Sequence, residues 1–282
     1  MNLPSLRDVI KSSDLWAKRS LGQNFLLDLN ITRKIVKAAG SLKGATVIEI
    51  GPGPGGLTRA LLETEALSVI AIEKDPRALT ALSSLQDLYP ERLILREADA
   101  LEIPLQTLGE PPRYVIANLP YNIATPLLMQ WLIHSTSFHK FILMFQKEVA
   151  DRIVALPHSK NYGRLSVKVQ WLCKVKSILT LPPQAFWPSP KVYSSVVEIT
   201  PYPTPLYLAN SDDLEFVLKT AFSQRRKMIR SSLENLNVPL ALLFEKSGIL
   251  PTLRAENLSV EDFCNLTRVY SELKKKTPTP SS

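Results

Sequence analysis

The sequence predicts an α/β domain built on a mostly parallel sheet, followed by a small all-helical domain. Three observations predict it: five short β-branched runs, helical patterns in the gaps between them, and helical periodicity alone beyond a proline-punctuated stretch at 201–205. The runs are 46–50 (TVIEI), 68–73 (SVIAIE), 93–97 (LILRE), 114–118 (YVIAN) and 140–146 (KFILMFQ).

A basic amphipathic helix over 30–39 precedes the first run, and helices are expected at 57–62, at 76–88 and in the two remaining gaps. KEVADRIVAL, 147–156, reads as a further helix, and HSKNYGR after it as a polar loop. Residues 171–181 and 193–200 are expected as two more strands. The proline-rich LPPQAFWPSPK joins them, closing the sheet with a hairpin. Beyond the linker, Ser259 and Asp262 have capping-box spacing, and Leu258 is placed to staple onto Phe263. The expected division is therefore 1–203, including a basic N-terminal segment 1–44, and 204–282.

Composition excludes several classes. At 45% hydrophobic and 21% charged residues the chain buries a real core and is neither disordered nor fibrous. No run approaches the ~18 apolar residues of a membrane span. Cys173 and Cys264 stand without a C-x-x-C pattern among three scattered histidines, so no metal site or disulfide framework is expected. The first residues lack a signal-peptide apolar core and include Asp8 and Asp14, so a cytoplasmic protein is expected. The net charge of +8 is uneven: net +5 over 1–44, −4 over 45–145, +5 over 146–203 and +2 over 204–282. Basic segments flanking an acidic block suit a polyanion such as nucleic acid, though a pI near 9.4 also serves solubility alone.

The first run leads directly into Glu49-Ile-Gly51-Pro-Gly53-Pro-Gly-Gly56-Leu-Thr58, which contains G-x-G-x-x-G. Glu73 ends the second run 17 residues after Gly56. Such a loop lets a nucleotide cofactor approach the backbone, and the acid accepts hydrogen bonds from ribose hydroxyls. Pro52 and Pro54 remove two amide donors that a pyrophosphate would use, and Glu49 would repel one. Both features favour a phosphate-free cationic cofactor, S-adenosyl-L-methionine, over a nicotinamide dinucleotide. Asp99, after the third run, is placed either to accept the adenine amine or to cap a helix.

Asn118-Leu119-Pro120-Tyr121 follows the fourth run. An exocyclic amine on a planar base is a poor nucleophile because its lone pair is delocalised into the ring. The Asn118 side-chain oxygen and a carbonyl at Leu119 or Pro120 would bind its two hydrogens, localise the lone pair and stabilise the growing positive charge. Tyr121 offers an aromatic face for an extruded base. No strong general base is needed, because the nitrogen becomes acidic only after methylation. Taken alone, the tetrapeptide is an ordinary turn; behind the glycine loop and its acid it becomes a signal.

These residues together resemble the KsgA family of small-subunit rRNA adenine N6,N6-dimethyltransferases. The likeness runs from about Leu15 to Glu272. It rests on Leu21-Gly22-Gln23-Asn24-Phe25-Leu26, the loop 49–58, Glu73, Asp99, the turn 118–121, and Phe186-x-Pro188-x-Pro190-x-Val192-x-Ser194. It implies a Rossmann-like class I S-adenosylmethionine-dependent methyltransferase sheet with a helical domain that docks on RNA. It further implies that Asn24 and Leu26, with the backbone at Gly51, hold the methionine end of the cofactor, and that Gln23, Glu49 and Gly53 are further cofactor-binding residues. Glu73 would take the ribose, Asp99 the adenine, and Asn118 both the cofactor and the target amine. Phe186 would sandwich the adenine against Tyr121.

The implied reaction is dimethylation of two adjacent adenosines near the 3′ end of 16S rRNA, within a 30S-type precursor particle and by a monomer. In the helical domain Lys219, Arg226 and Arg230 are expected on one helical face, opposite Leu214, Leu218 and Ile229. With Arg225 and Lys227 they form either an RNA-backbone contact or a solvated basic face. A non-catalytic RNA-binding assembly factor and a resistance-type large-subunit dimethylase stay open as alternatives. DNA adenine methylation is disfavoured because no added segment reads as a target-recognition domain.

Overall fold

The chain opens with α1 (Leu6–Ser12), whose buried Leu6, Val9 and Ile10 recur at helical spacing, and Ser5 caps it through the Asp8 amide. A two-residue strand, β1 (Phe25–Leu26), leads into α2 (Leu29–Ala38), capped by Asp28. The five β-branched runs then alternate with helices, as β2 (Thr46–Ile50), α3 (Gly56–Leu62), β3 (Ser68–Glu73), α4 (Pro76–Leu88), β4 (Leu93–Glu97), β5 (Arg113–Asn118), α5 (Ala124–Leu132) and β6 (Lys140–Gln146). This is a computed structural model, and it describes residues 3–17 and 23–276. Leu21 and Gly22 of the N-terminal motif lie outside the described residues.

Next come α6 (Lys147–Ile153), α7 (Arg164–Leu172), β7 (Cys173–Leu181), β8 (Phe186–Trp187) and β9 (Ser194–Pro201). Seven strands form one sheet in the order β4-β3-β2-β5-β6-β9-β7, while β1 and β8 pair separately as an antiparallel ribbon. The β2, β3, β4, β5 and β6 pairings are all parallel, and β9 runs antiparallel to β6. All five residues of β2 are buried, as a strand covered by helices on both faces requires, whereas the edge strand β4 buries only Leu93. One expectation fails here: the gap between β4 and β5 holds only a single 3₁₀ turn, Leu105–Thr107.

The chain divides into two compact units, Met1–Ala150 with Lys174–Pro201, and Asp151–Cys173 with Tyr202–Ser282. The boundary expected at 203/204 therefore omits one segment. Residues 151–173, expected as a helix end, a polar loop and the start of a strand at 171, contain α7, which runs to Leu172, and their Tyr162, Val167 and Trp171 are buried among the helical unit's own side chains. The Trp171 indole also donates to the Tyr207 carbonyl at 2.7 Å.

The second unit continues with α8 (Ser211–Ala221), α9 (Ile229–Ser232), α10 (Leu240–Ser247) and α11 (Val260–Lys276). Asn210 caps α8 through the amides of Asp212 and Asp213, whose charges suit the positive end of the helix. The expected reciprocal cap at α11 is present: Ser259 Oγ accepts from the Asp262 amide at 3.1 Å, and Asp262 accepts from the Ser259 amide at 2.8 Å. The continuous basic helix face expected over Lys219, Arg226 and Arg230 is not formed. The helix ends at Ala221 and a new one starts at Ile229. The break follows from tertiary contacts: the Phe222 ring packs on Tyr162 and Phe263, and Arg225 donates to the carbonyls of Lys160 and Tyr162.

Two glycines of the first unit have no substitute. Gly53 sits at φ +55°, and a Cβ there would lie 2.8 Å from the Phe25 ring. At Gly56 a Cβ would meet the Leu26 carbonyl oxygen at 2.6 Å. Gly56→Ala is expected to cost about 1–3 kcal/mol of stability, measured by denaturant unfolding, because backbone must yield rather than a flexible side-chain end.

Candidate active site

The carboxyl ends of β2, β3 and β5 converge on one cleft in the first unit, where an open parallel sheet places its ligands. The structure brings Gln23, Asn24, Leu26, Glu49, Gly51, Gly53, Glu73, Asp99, Asn118, Leu119, Pro120 and Tyr121 together as its lining. Phe186 is not among the lining residues. It pairs with Leu26 across the β1–β8 ribbon and is 5% exposed, buried behind the cleft wall.

Each polar group is held by the local chain. Glu73 Oε1 accepts the amides of Lys74 at 2.8 Å and Asp75 at 2.9 Å, which orients the carboxylate. Burial raises its pKa, and those amide bonds offset part of the rise. Asp99 accepts from the Lys74 ammonium at 2.7 Å and from the Leu101 amide at 3.0 Å, and both hold its carboxyl below the usual range. Glu49 is the extreme case. It is 1% exposed, its Oε2 has no hydrogen-bond partner among the described residues, and desolvation pushes its pKa up to about 8, with Thr58 opposing the rise and repulsion from Glu73 adding to it.

At the end of β5, the Asn118 amide nitrogen donates to the Asn24 carbonyl at 2.9 Å. A carbonyl only accepts, so this bond sets which end of the amide is which and frees Oδ1 as an acceptor. The Tyr121 hydroxyl is 2.5 Å from Ser194 Oγ on β9, which fixes the ring beside Asn118. Desolvation raises the Tyr121 pKa and keeps it a neutral phenol.

One part of the site was illegible in the sequence. Asp75, 3% exposed, accepts from Arg77 at 2.6 Å and from the Gln23 amide at 3.3 Å, while Arg77 also donates to the carbonyls of Asp14 and Trp16. Asp-Pro-Arg at 75–77 reads as a helix start, which it is. Nothing in it shows that the same groups clamp the Gln23–Leu26 wall onto the end of β3. Arg77→Met is therefore expected to weaken cofactor affinity several-fold in a titration, and Arg77→Lys to recover part of it.

In the second unit Lys219, Arg226, Lys227 and Arg230 are exposed, whereas the Arg225 guanidinium is spent on the Lys160 and Tyr162 carbonyls. Cys173 and Cys264 are buried, and desolvation pushes both thiols up to about 12, which disfavours the thiolate of either. Among the described residues no group of three or more His, Cys, Asp or Glu side chains is arranged to hold a metal ion, and no helix is long and apolar enough to cross a membrane.

The sequence pattern of the family described as Ribosomal RNA adenine dimethylase matches residues 15–272. The Ribosomal RNA small subunit methyltransferase A of Rhodospirillum rubrum is 54% identical over 266 residues, covering 94% of this chain and 92% of that protein. Its counterpart in Paracoccus denitrificans is 53% identical over 270 residues, covering 94% and 95%. Among solved structures, a dimethyladenosine transferase from Plasmodium falciparum superposes with a TM-score of 0.76 at 29% identity, covering 88% of this chain and 97% of that one. The 23S rRNA methyltransferase ErmE shares the fold, with a TM-score of 0.67 at 24% identity and coverage of 88% and 100%. Through its cleft, its α/β methyltransferase fold and these matches along nearly its whole length, the chain belongs to the ribosomal RNA adenine dimethylase family.

Proposed function

We propose that this protein dimethylates the N6 amines of two adjacent adenosines near the 3′ end of small-subunit (16S) rRNA. In this reading it acts as a cytoplasmic monomer on a 30S-type precursor particle. The observation that carries the reading is the oriented amide of Asn118: its nitrogen is committed to the Asn24 carbonyl, and its oxygen is presented to the cleft beside the fixed Tyr121 ring.

The residues fit S-adenosylmethionine. Gly53 and Gly56 keep the cradle open where a Cβ would collide with Phe25 or the Leu26 carbonyl, and Glu49 holds a buried oxygen, without a hydrogen-bond partner among the described residues, that a cation would satisfy. Gln23, Asn24, Leu26, Glu49, Gly51 and Gly53 would hold the methionine end, Glu73 the ribose and Asp99 the adenine. When bound, the cofactor supplies an electrophilic methyl group on a sulfonium.

The chain's own residues do the rest. Asn118 Oδ1 and the Leu119 or Pro120 carbonyl accept the two amine hydrogens, turn the nitrogen lone pair out of the ring plane and stabilise its developing charge. Tyr121 stacks on the extruded base and holds it in line. After transfer the nitrogen is acidic and yields its proton to water, so no His, Cys or other strong base is called for. Phe186, buried behind β1, supports the wall; to stack on the base it would have to leave that position. Lys219, Arg226, Lys227 and Arg230 would supply phosphate contacts, and Arg225 would shape the surface that carries them.

The test is transfer of tritiated methyl from S-adenosylmethionine to undermethylated small subunits, with mature subunits, large subunits and DNA in parallel. N6,N6-dimethyladenosine formed only in undermethylated small subunits is the expected result. Label in large subunits or DNA would overturn the substrate assignment. Binding of cofactor and subunits without any transfer would make the protein an assembly factor.

A further inference from the structure

The first unit holds a second cavity, of about 560 Å³, that the reaction described above does not use. Its size lies within the ~300–1,000 Å³ of ordinary small-molecule sites. The β1–β8 ribbon ties it to the cleft. Phe25 and Leu26 on β1 line the cleft, and Phe186 and Trp187, their partners on β8, line the cavity. A polynucleotide whose target base enters the cleft therefore needs only to cross this ribbon to place its next nucleotide in the cavity.

The remaining lining suits a nucleotide. The Arg7 guanidinium and the Gln184 amide are exposed, and neither has a hydrogen-bond or ionic partner among the described residues. Trp187 is partly exposed and tilted against Trp16, ring centroids 5.6 Å apart, so its indole is braced while a face is left to the cavity. Asp28 is committed through Oδ1 to capping α2 at 2.8 Å, and its other oxygen is an acceptor for a base amine or a 2′-hydroxyl. A free cation for phosphate, a braced aromatic for stacking, and an amide with a carboxylate for polar edges are what a single-stranded ribonucleotide requires.

We propose that this cavity is a subsite for the rRNA nucleotide adjoining the target adenosine, with Trp187 stacking on its base, Gln184 reading its edge and Arg7 holding its phosphate. Extruding the target base costs its neighbour a stacking partner, and Trp187 replaces that partner. The proposal rests on the reading of the substrate as rRNA.

The test compares wild type with Arg7→Gln, Gln184→Ala and the double variant on undermethylated small subunits. Neither side chain is used by the fold, so both variants should fold normally. The double variant is expected to raise KM for subunits about tenfold, with kcat and affinity for S-adenosylhomocysteine unchanged. Arg7→Gln alone should reduce the salt dependence of binding by roughly one released ion. Ultraviolet cross-linking of the wild-type complex should join a peptide containing Trp187 to a nucleotide next to the methylated adenosine. A KM within twofold of wild type for the double variant, or a Trp187 adduct mapping far from the target, overturns the proposal. Should the wild-type enzyme transfer no methyl to these subunits, the functional reading falls separately. The cross-link then decides for the cavity: a Trp187 adduct with RNA supports it, and absence of one overturns it.

Discussion

Asn118→Ala is expected to lower kcat for methyl transfer by about 10²–10³-fold, or about 2.7–4 kcal/mol, the usual loss when one preorganised group facing transition-state charge is removed. The substitution deletes the Oδ1 acceptor and also the 2.9 Å bond to the Asn24 carbonyl. The second loss loosens the cofactor wall, so S-adenosylhomocysteine affinity should fall too, but by less than tenfold. Asn118→Asp separates the two contributions. It keeps acceptor oxygens for the target amine, yet faces the Asn24 carbonyl with a second acceptor in place of a donor. Its cofactor affinity should fall more than that of the alanine variant, and its kcat less. Transfer by Asn118→Ala within tenfold of wild type would sink the mechanism, because the carbonyl at Leu119 or Pro120 would then suffice.

The contrast between Asn118 and Phe186 shows which parts of the site the sequence exposes. Asn118 ends a buried β-branched strand whose register on β2 and β6 follows from the parallel order, so its place at the carboxyl edge is set by local pattern. Glu49, the glycines and Glu73 are legible for the same reason. Phe186 lies in a proline-rich connection, and its position comes from an antiparallel pairing with Leu26, far away along the chain. Neither segment shows alternation long enough to announce a strand, so the ribbon could not be foreseen and a cleft-facing ring was expected where a buried one occurs.

The helical unit teaches the complementary lesson. Leu214, Leu218 and Ile229 are buried as their spacing implies, yet the basic residues expected opposite them do not form one face. Helical periodicity survives a break when the apolar residues on both sides still reach one core. It says nothing about the segment between, where Phe222 turns to Tyr162 and Phe263 and Arg225 turns to two backbone carbonyls. The helix α7 went unread because the HSKNYGR loop ahead of it masks its start: Gly163 caps it with no side-chain oxygen, and Ser166 reaches back to the Gly163 amide instead.

Cofactor affinity is expected to rise with pH between about 6 and 8 and then level off, because Glu49 titrates in that range. Its carboxyl is raised from 4.5 to about 8, first by burial and further by Glu73. Around it, Asp75 and Asp99 are held ionised by Arg77 and Lys74. The folded protein therefore retains a proton that the unfolded chain has lost. The stability that Glu49 contributes is complete below about pH 4.5 and is lost as pH rises through about 8, at up to ~1.4 kcal/mol per unit. A sulfonium and ammonium bound beside Glu49, as proposed, would reverse the balance by favouring the carboxylate, and that proton would be released. Titration at pH 6.5 in two buffers of different ionisation enthalpy should detect close to one proton released per S-adenosylmethionine, and little release at pH 9. S-adenosylhomocysteine, without the sulfonium, should release fewer. Glu49→Gln should abolish the release, bind the cofactor more weakly than wild type at pH 8.5, and melt at a higher temperature than wild type at pH 9. Equal wild-type affinity at pH 6.5 and 8.5, with no proton released at either, would mean that Glu49 is already ionised in the free protein. Its charge would then be a permanent part of the cleft, and discrimination between the cofactor and its demethylated product would have to arise from shape.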